Sequence, residues 1–461
     1  MKKQLFINGE WIGTESYKDL LSPYNNEKIA EIASATEEDV DKAIAAAYQT
    51  NEIMAEMPAH RRASILERVA NLIEERADEA AKIISAEAAK PYKTALGEVS
   101  RTVATYKFSA EEAKRIHGET IPLDAAVGGE NRIAYTDREP IGVIGAITPF
   151  NFPMNLVAHK VGPAIASGNT VVLKPAEQTP LSSLFLADIF KEAGLPDGAL
   201  NIVTGKGSVV GEKIVKDDRV KKISFTGSPA VGIGIRNKAG LKRVTLELGS
   251  NAAVIIDQGI DLDKIIDRCV MGAFSFQGQV CISLQRVYIH ESLYEQFVEK
   301  MVAATKQLKI GDPLDPNTDV SALISPRDVD RALVWIEEAK QGGAKVLTGG
   351  AAEGNVLQPT ILTDVDAKLK VSCQEVFAPI VLINKVSSVE EAISNVNDSR
   401  YGLQAGIYTD NIHTALMATK KLHVGGVMVN DIPTFRVDHM PYGGVKESGV
   451  GPDRITFGPN A

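Results

Sequence analysis

Between residues 36 and 116 the apolar positions recur at helical spacing, and beyond residue 140 they come in short continuous runs. Thr36-Glu37-Glu38-Asp39 reads as a capping box, a hydroxyl and a carboxylate three residues apart, ahead of Val40, Ile44 and Ala47 on one helical face. Ile65, Val69, Leu72 and Ile73 mark the apolar face of a longer helix predicted from Arg61 to about Ala88, and another is predicted from about Gly97 to Ile116. The N-terminal third therefore reads as helical. Ile141-Gly142-Val143-Ile144-Gly145-Ala146-Ile147 then suits a strand buried on both faces. Strands at 170–173, 200–203 and 222–225 alternate with helices opening at Leu181, Val209 and Ala230. That rhythm implies βαβ units and a parallel, doubly wound sheet. A second alternating block begins near Asn251, with a strand at 253–256, a helix at about 262–274, a strand at 286–290, a helix to about Leu308, and further alternation to Val429. The spacing predicts two α/β domains meeting near residues 247–251, with a site in the cleft between them.

Length and charge narrow the classes. A chain of 461 residues exceeds the size at which one core keeps growing. A net charge of −9, with Lys and Arg scattered among acids, argues against a nucleic-acid partner. Cys269, Cys281 and Cys373 lack the spacing of a disulfide framework or a zinc site, so no metal is expected. No run of eighteen apolar residues could span a membrane, and the N-terminus reaches the turn at Asn8-Gly9 too soon for a signal-peptide core. The expected setting is a reducing cytoplasm.

Cys281, in Phe276-Gln277-Gly278-Gln279-Val280-Cys281, lies thirty-four residues after Glu247 in Leu246-Glu247-Leu248-Gly249. A thiol attacks soft carbonyls readily, and a separate carboxylate can activate the water that releases a thioester. An activated Cys281 is expected to react with iodoacetamide far faster than Cys269 or Cys373. Taken alone, Cys281 is equally a small buried hydrophobe and Glu247 a surface charge. Five further stretches weigh against that: Thr148-Pro149-Phe150-Asn151-Phe152-Pro153, Lys174-Pro175-Ala176-Glu177-Gln178-Thr179-Pro180, Phe225-Thr226-Gly227-Ser228, Glu375-Val376-Phe377-Ala378-Pro379 and Pro441-Tyr442-Gly443-Gly444. In this order and spacing, over nearly the whole chain, they resemble the aldehyde dehydrogenase superfamily.

The resemblance implies two Rossmann-like α/β domains with a small oligomerisation β-element. Residues 1–116 and 136–248 would bind NAD, 249–428 would carry catalysis, and 117–135 with 429–461 would bridge subunits of a homodimer or homotetramer. Cys281 would attack the aldehyde, Asn151 and the Cys281 N–H would hold the oxyanion, and Glu247 would activate water for thioester hydrolysis. A base in a dry cleft is expected to have a raised pKa. The presence of Glu247 favours a free-acid product over transfer to coenzyme A, the alternative reaction. A catalytically silent binding protein on the same fold is a further alternative, opposed by Cys281, Glu247 and Asn151 all being present.

For the cofactor, the resemblance places Thr148, Phe150, Thr226, Gly227, Ser228 and Gly249 along the dinucleotide. Ser228 opens a helix whose N–H groups suit a pyrophosphate. Gly205-Lys206-Gly207 with Gly211 is one residue too long for the usual glycine fingerprint. Lys174 and Glu177 would hold the adenosine ribose, and the Glu177 carboxylate favours NAD over NADP. Glu375 and Phe377 match residues that hold the nicotinamide end.

For the substrate, Arg101, His159, Arg436 and His439 would surround one pocket and suit an anionic or hydroxylated aldehyde, of lactaldehyde, succinate-semialdehyde or phosphonoacetaldehyde type. Arg101 could instead pair with Glu98, and Arg436 with Asp438. Val280 stands where relatives acting on phosphorylated glyceraldehyde carry Arg. After Ser448-Gly449-Val450-Gly451 the family usually continues with Arg-Glu and a strand across a dimer interface, whereas here Pro452-Asp453-Arg454 follows and Pro cannot donate to a ladder.

Overall fold

The helix start read at Thr36 forms as its side chains dictate. Thr36 Oγ1 accepts from the Asp39 N–H at 3.3 Å and the Asp39 carboxylate accepts from the Thr36 N–H at 3.0 Å, opening the helix Glu37–Glu56. In the computed structural model, which describes residues 1–451, the long helix predicted next is two, Ala59–Glu75 and Ala77–Ala88. They break at Arg76 (φ −109°, ψ 27°), whose guanidinium turns to Glu79 at 2.8 Å and over the Phe185 ring at 4.5 Å. Ala89 then takes a left-handed φ of 49°, and Pro91 starts the helix Tyr92–Ala113. That start lies ahead of the predicted one, because a proline is well placed just before a first helical turn.

Residues before Thr36 are extended rather than helical. Leu5–Ile7 and Glu10–Ile12 form a hairpin around Asn8-Gly9 (φ 52° and 74°), and Tyr17–Leu21 pairs with Lys28–Ala33. Strands of three to six residues carry too few positions to display alternation.

The first sheet has five parallel central strands in the order Arg243–Glu247, Val220–Thr226, Val143–Ile147, Thr170–Lys174, Leu200–Ile202. The chain starts at the middle strand, builds one side and returns to build the other. Strand order therefore reverses between Val143–Ile147 and Val220–Thr226, and crevices at the carboxyl ends of such strands are where ligands bind. One face is covered by helices carrying Leu66, Ile84, Tyr106, Val157 and Phe190, the other by helices carrying Ile44, Ile214 and Ile235. The helix predicted from Val209 opens as a π-turn, Gly207–Gly211, before Glu212–Lys216.

The second sheet runs Lys345–Thr348, Thr360–Thr363, Ile380–Val386, Arg286–His290, Ala253–Ile256, Gln404–Tyr408, Gly426–Val429, parallel except for its first strand. The chain crosses from one sheet to the other between Glu247 and Ala253. Past the second sheet it returns, and Gly449–Val450 lies antiparallel on Arg243–Glu247 with Gly449 opposite Glu247. Thr120–Ile121 pairs with Ala134–Tyr135 as a separate ribbon, with Ile121, Val127, Ile133 and Tyr135 exposed around it. Pro452-Asp453-Arg454 and the rest of 452–461 lie outside the described residues. Among the described residues no helix is long and apolar enough to cross a membrane.

Candidate active site

The approach to Cys281 is a left-handed turn. Phe276, Gln277 and Gly278 have φ of 47°, 55° and 68°, and the two non-glycines there are strained by roughly 1–3 kcal/mol each. The buried Gln277 amide holds the turn by donating to the carbonyls of Ala89 and Ala322, both at 2.9 Å. Gly278 has no alternative residue, since a Cβ there would stand 2.2 Å from the Ala378 carbonyl oxygen. The turn delivers Val280 and Cys281 against Ile282, Leu403 and Tyr442. Burial pushes the Cys281 thiol up to about 12, with the charges of Glu375 and Glu247 adding and the Asn151 amide and Arg436 opposing. Loss of hydration and the two carboxylates act to keep the proton on sulfur, and the Asn151 amide and Arg436 act against them. Cys269 is fully buried and pushed equally far, and Cys373 is only partly buried.

Asn151 sits just past the carboxyl end of Val143–Ile147 and is almost fully buried. Its Nδ2 donates to the Gln279 carbonyl at 3.0 Å, which ties the amide to the nucleophile turn, and it also reaches the Cys281 thiol. Behind it stands Lys90, which the sequence reading missed. Lys90 Nζ donates to the Asn151 carbonyl at 2.7 Å, pairs with Glu98, and lies 3.8 Å and 4.2 Å from the ring centres of Phe152 and Phe276. Glu98 accepts from the N–H groups of Met154 and Asn155 at 2.9 and 3.1 Å, the first turn of the helix Asn155–Ala166. Glu98 is thus taken by Lys90 and not by Arg101.

Glu247 ends its strand at the same carboxyl edge and is buried. Ser448 locks the segment that follows, with its Oγ donating to the Gly249 carbonyl at 2.7 Å and its own carbonyl accepting from the Leu248 N–H at 2.9 Å. Glu375 accepts from the Ser250 N–H at 2.9 Å and closes over Gly249, where a Cβ would meet its carboxylate at 2.5 Å. Burial pushes Glu375 up to about 7, opposed by that N–H and by Arg331. Glu375 and Phe377 line one cavity with Ser250, Gly278 and Val280, and the Phe377 ring meets that of Phe150 edge-on at 5.8 Å.

The remaining cofactor candidates lie along the same edge. Thr148, Lys174, Thr226 and Gly227 stand at or just past the ends of three adjacent strands. Thr226 carries a buried hydroxyl without a hydrogen-bond partner among the described residues, and Ser228 caps Pro229–Lys238 by position, its side chain left out of the helix. Burial lowers the Lys174 pKa, which Glu177 opposes. Gly211 sits within ordinary contact distance of Lys174, whereas Gly207 is exposed. Glu177 pairs with Lys18 at 3.5 Å and shares a groove with Ser34, Thr204 and Gly205. An unpartnered hydroxyl, an open helix N-terminus and a cation at a topological switch point fit a dinucleotide.

Two of the four substrate candidates, Arg101 and His159, meet at Asp438, in a loop closing over the helix Asn155–Ala166. Arg101 grips Asp438 with two hydrogen bonds, 3.2 Å from Nε and 2.8 Å from Nη2. His159 Nε2 and Asn155 Nδ2 also donate to Asp438, at 2.9 and 3.2 Å. Burial acts to raise the Asp438 pKa, but the bonds from His159 and Arg101 hold it well below the usual carboxylate range. Arg436 lies 3.4 Å from His159 Nε2 and 3.8 Å from the ring centre of Tyr442. His439 stacks at 4.9 Å on Phe108 and is exposed. Asp438, weighed as a partner for Arg436, is gripped by Arg101.

A thiol, a buried carboxylate, an amide donor and a dinucleotide crevice at one sheet edge define an enzyme of aldehyde oxidation. The model of the aldehyde dehydrogenase family matches residues 11–459, and the chain belongs to that family. It is an NAD(P)-dependent oxidoreductase acting on aldehydes. It is 46% identical to a 3-sulfolactaldehyde dehydrogenase of Priestia aryabhattai over 97% of this chain and 93% of that protein. The crystal structure of aldehyde dehydrogenase 21 from Physcomitrella patens, in complex with the reaction product succinate, is 40% identical, with a TM-score of 0.97 over 99% of this chain and 95% of that one. The NADP-dependent glyceraldehyde-3-phosphate dehydrogenase of Bacillus halodurans, complexed with NADP, is 38% identical, with a TM-score of 0.96 over 99% and 96% of the two chains.

Proposed function

We propose that this enzyme oxidises a small aldehyde with an anionic or hydroxylated tail to the free acid, with NAD preferred over NADP. The observation that carries the reading is Asn151, whose amide is held between the Gln279 carbonyl and the Cys281 thiol. Cys281 Sγ attacks the carbonyl carbon as its proton is lost to solvent, which leaves Glu247 ionised for the second half-reaction. The Asn151 Nδ2–H and the Cys281 N–H hold the oxyanion of the thiohemiacetal. The dinucleotide, when bound, supplies the acceptor for the hydride that leaves the same carbon, and a thioester remains on Cys281. Glu247 then takes a proton from water, the water oxygen attacks the thioester, and the acid departs as the thiol is restored.

The first domain would hold the dinucleotide through Thr226, Gly227, Ser228, Lys174 and Glu177, and Glu375 with Phe377 would position its nicotinamide end. Glu177 would disfavour a 2′-phosphate, which Lys18 at 3.5 Å partly offsets. For the tail, support comes from the Arg101, His159 and Arg436 cluster and from relatives named for sulfonate and succinate ligands. The exposed ribbon 120–135 is read as a subunit contact of a homo-oligomer.

The test is Glu247→Gln. We expect one equivalent of NADH per active site in a rapid burst, then turnover roughly 10²–10⁴-fold below wild type as the thioester accumulates. A slow variant with no burst would remove Glu247 from deacylation and place it in the first half-reaction only.

A further inference from the structure

Asp438 occupies the centre of the cluster assigned to the substrate tail, and this inference rests on that assignment. Its two oxygens take the Nε and Nη2 edge of Arg101, so that edge cannot make a second two-point contact with a ligand. The carboxylate is nearly fully buried and also accepts from His159 and Asn155, and Asn155 is in turn held by Thr105 Oγ1 at 2.9 Å. A carboxylate held by four donors from two helices is a built part of the pocket. The Asp438 carboxylate therefore offsets the charge of Arg101 inside the pocket. Arg436 faces the chemistry: it lies on the Tyr442 ring, Tyr442 packs against Cys281, and the charge of Arg436 reaches the thiol.

We propose that Asp438 is a specificity-determining residue that offsets the charge of Arg101 in this pocket, so that it takes an aldehyde with a singly charged tail, a sulfonate or carboxylate, in preference to a phosphate dianion. A pocket of two uncompensated cations would favour the dianion. With Asp438 in place, the second negative charge of a phosphate is desolvated beside a buried carboxylate, and like charges at short range disfavour binding.

The experiment compares kcat/KM for aldehydes of matched length with neutral hydroxyl, carboxylate, sulfonate and phosphate tails, in wild type, Asp438→Asn and Asp438→Glu. Wild type is expected to prefer the monoanions, Asp438→Asn to move the monoanion-to-phosphate ratio toward phosphate by roughly tenfold or more, and Asp438→Glu to keep the wild-type ranking. An unchanged ratio in Asp438→Asn overturns the proposal while leaving the anionic-tail reading intact. Equal or better wild-type rates on the neutral hydroxylated aldehyde overturn the anionic-tail reading itself and leave the hydroxylated tail. Competitive inhibition of wild type by alkyl sulfonates and alkyl phosphates supplies a ranking that needs no variant, and tighter phosphate binding there also overturns the proposal.

Discussion

An ammonium group with no exposure to solvent has to be held by charge and shape, and Lys90 is held by both. Burial lowers its pKa and the Glu98 carboxylate raises it, while two aromatic faces and the Asn151 carbonyl fill the rest of its surroundings. Lys90 touches no reacting atom, so it is a positioning residue for Asn151 and for the turn at Phe276. Lys90→Met leaves Glu98 buried and unpaired, at a cost of about 3–5 kcal/mol. Adding Glu98→Gln restores a neutral pair that still caps Met154 and Asn155. The double variant should recover much of the Tm yet keep a kcat about 10-fold or more below wild type, with KM less affected. Full recovery of kcat along with Tm would reduce Lys90 to a structural role.

At the scale of elements, buried carboxylates close the ends of helices on the site side of the first domain. Glu87 accepts from the N–H groups of Leu181 and Ser182 at 2.7 and 2.9 Å, capping Leu181–Glu192 with no exposure to solvent. Burial pushes its carboxyl from 4.5 up to about 8, opposed by those hydrogen bonds. The protonated form is thus favoured in the folded chain, and the stability it contributes is full below about pH 4.5 and lost as pH rises through about 8. Glu87→Gln removes that titration while keeping an acceptor at the cap. Between pH 5 and 8 the wild-type Tm should fall relative to the variant, by an amount worth several kcal/mol at most. Parallel Tm curves across that range would show that Glu87 is ionised in the folded protein. The same scale explains which elements the periodicity missed: Arg76 splits a continuous apolar stripe, and the short N-terminal strands lie below the length at which a period shows.

For the whole molecule, the returning segment at Ser448 and Gly449 ties the end of the chain back to the first sheet. It places a strand beside Glu247 and a hydroxyl on the Gly249 carbonyl, so the positions of base and cleft depend on a segment two hundred residues away. Among the described residues, the ribbon leaves Ile133 and Tyr135 90% and 77% exposed, an apolar surface suited to a partner subunit. Light scattering should report an oligomer for wild type and a lower mass for the double variant Ile133→Asp and Tyr135→Asp. A wild-type monomer would remove the ribbon from any assembly role.

The residue types of the site, and the order in which the chain presents them, were legible without a structure. Cys281, Glu247 and Asn151 sit in motifs whose turns and strand ends are local, and the alternation of apolar runs implies the sheet edge that gathers them. Which charges meet was decided only by the fold. Arg101 and Asp438 are more than three hundred residues apart, and Glu98, closer in sequence to Arg101, faces Lys90 instead. The surroundings of the Cys281 thiol were likewise beyond local reading, because they follow from how tightly the chain packs around it and which carboxylates that packing brings near. Periodicity reports which face of an element is buried; it carries no information about what that face is buried against.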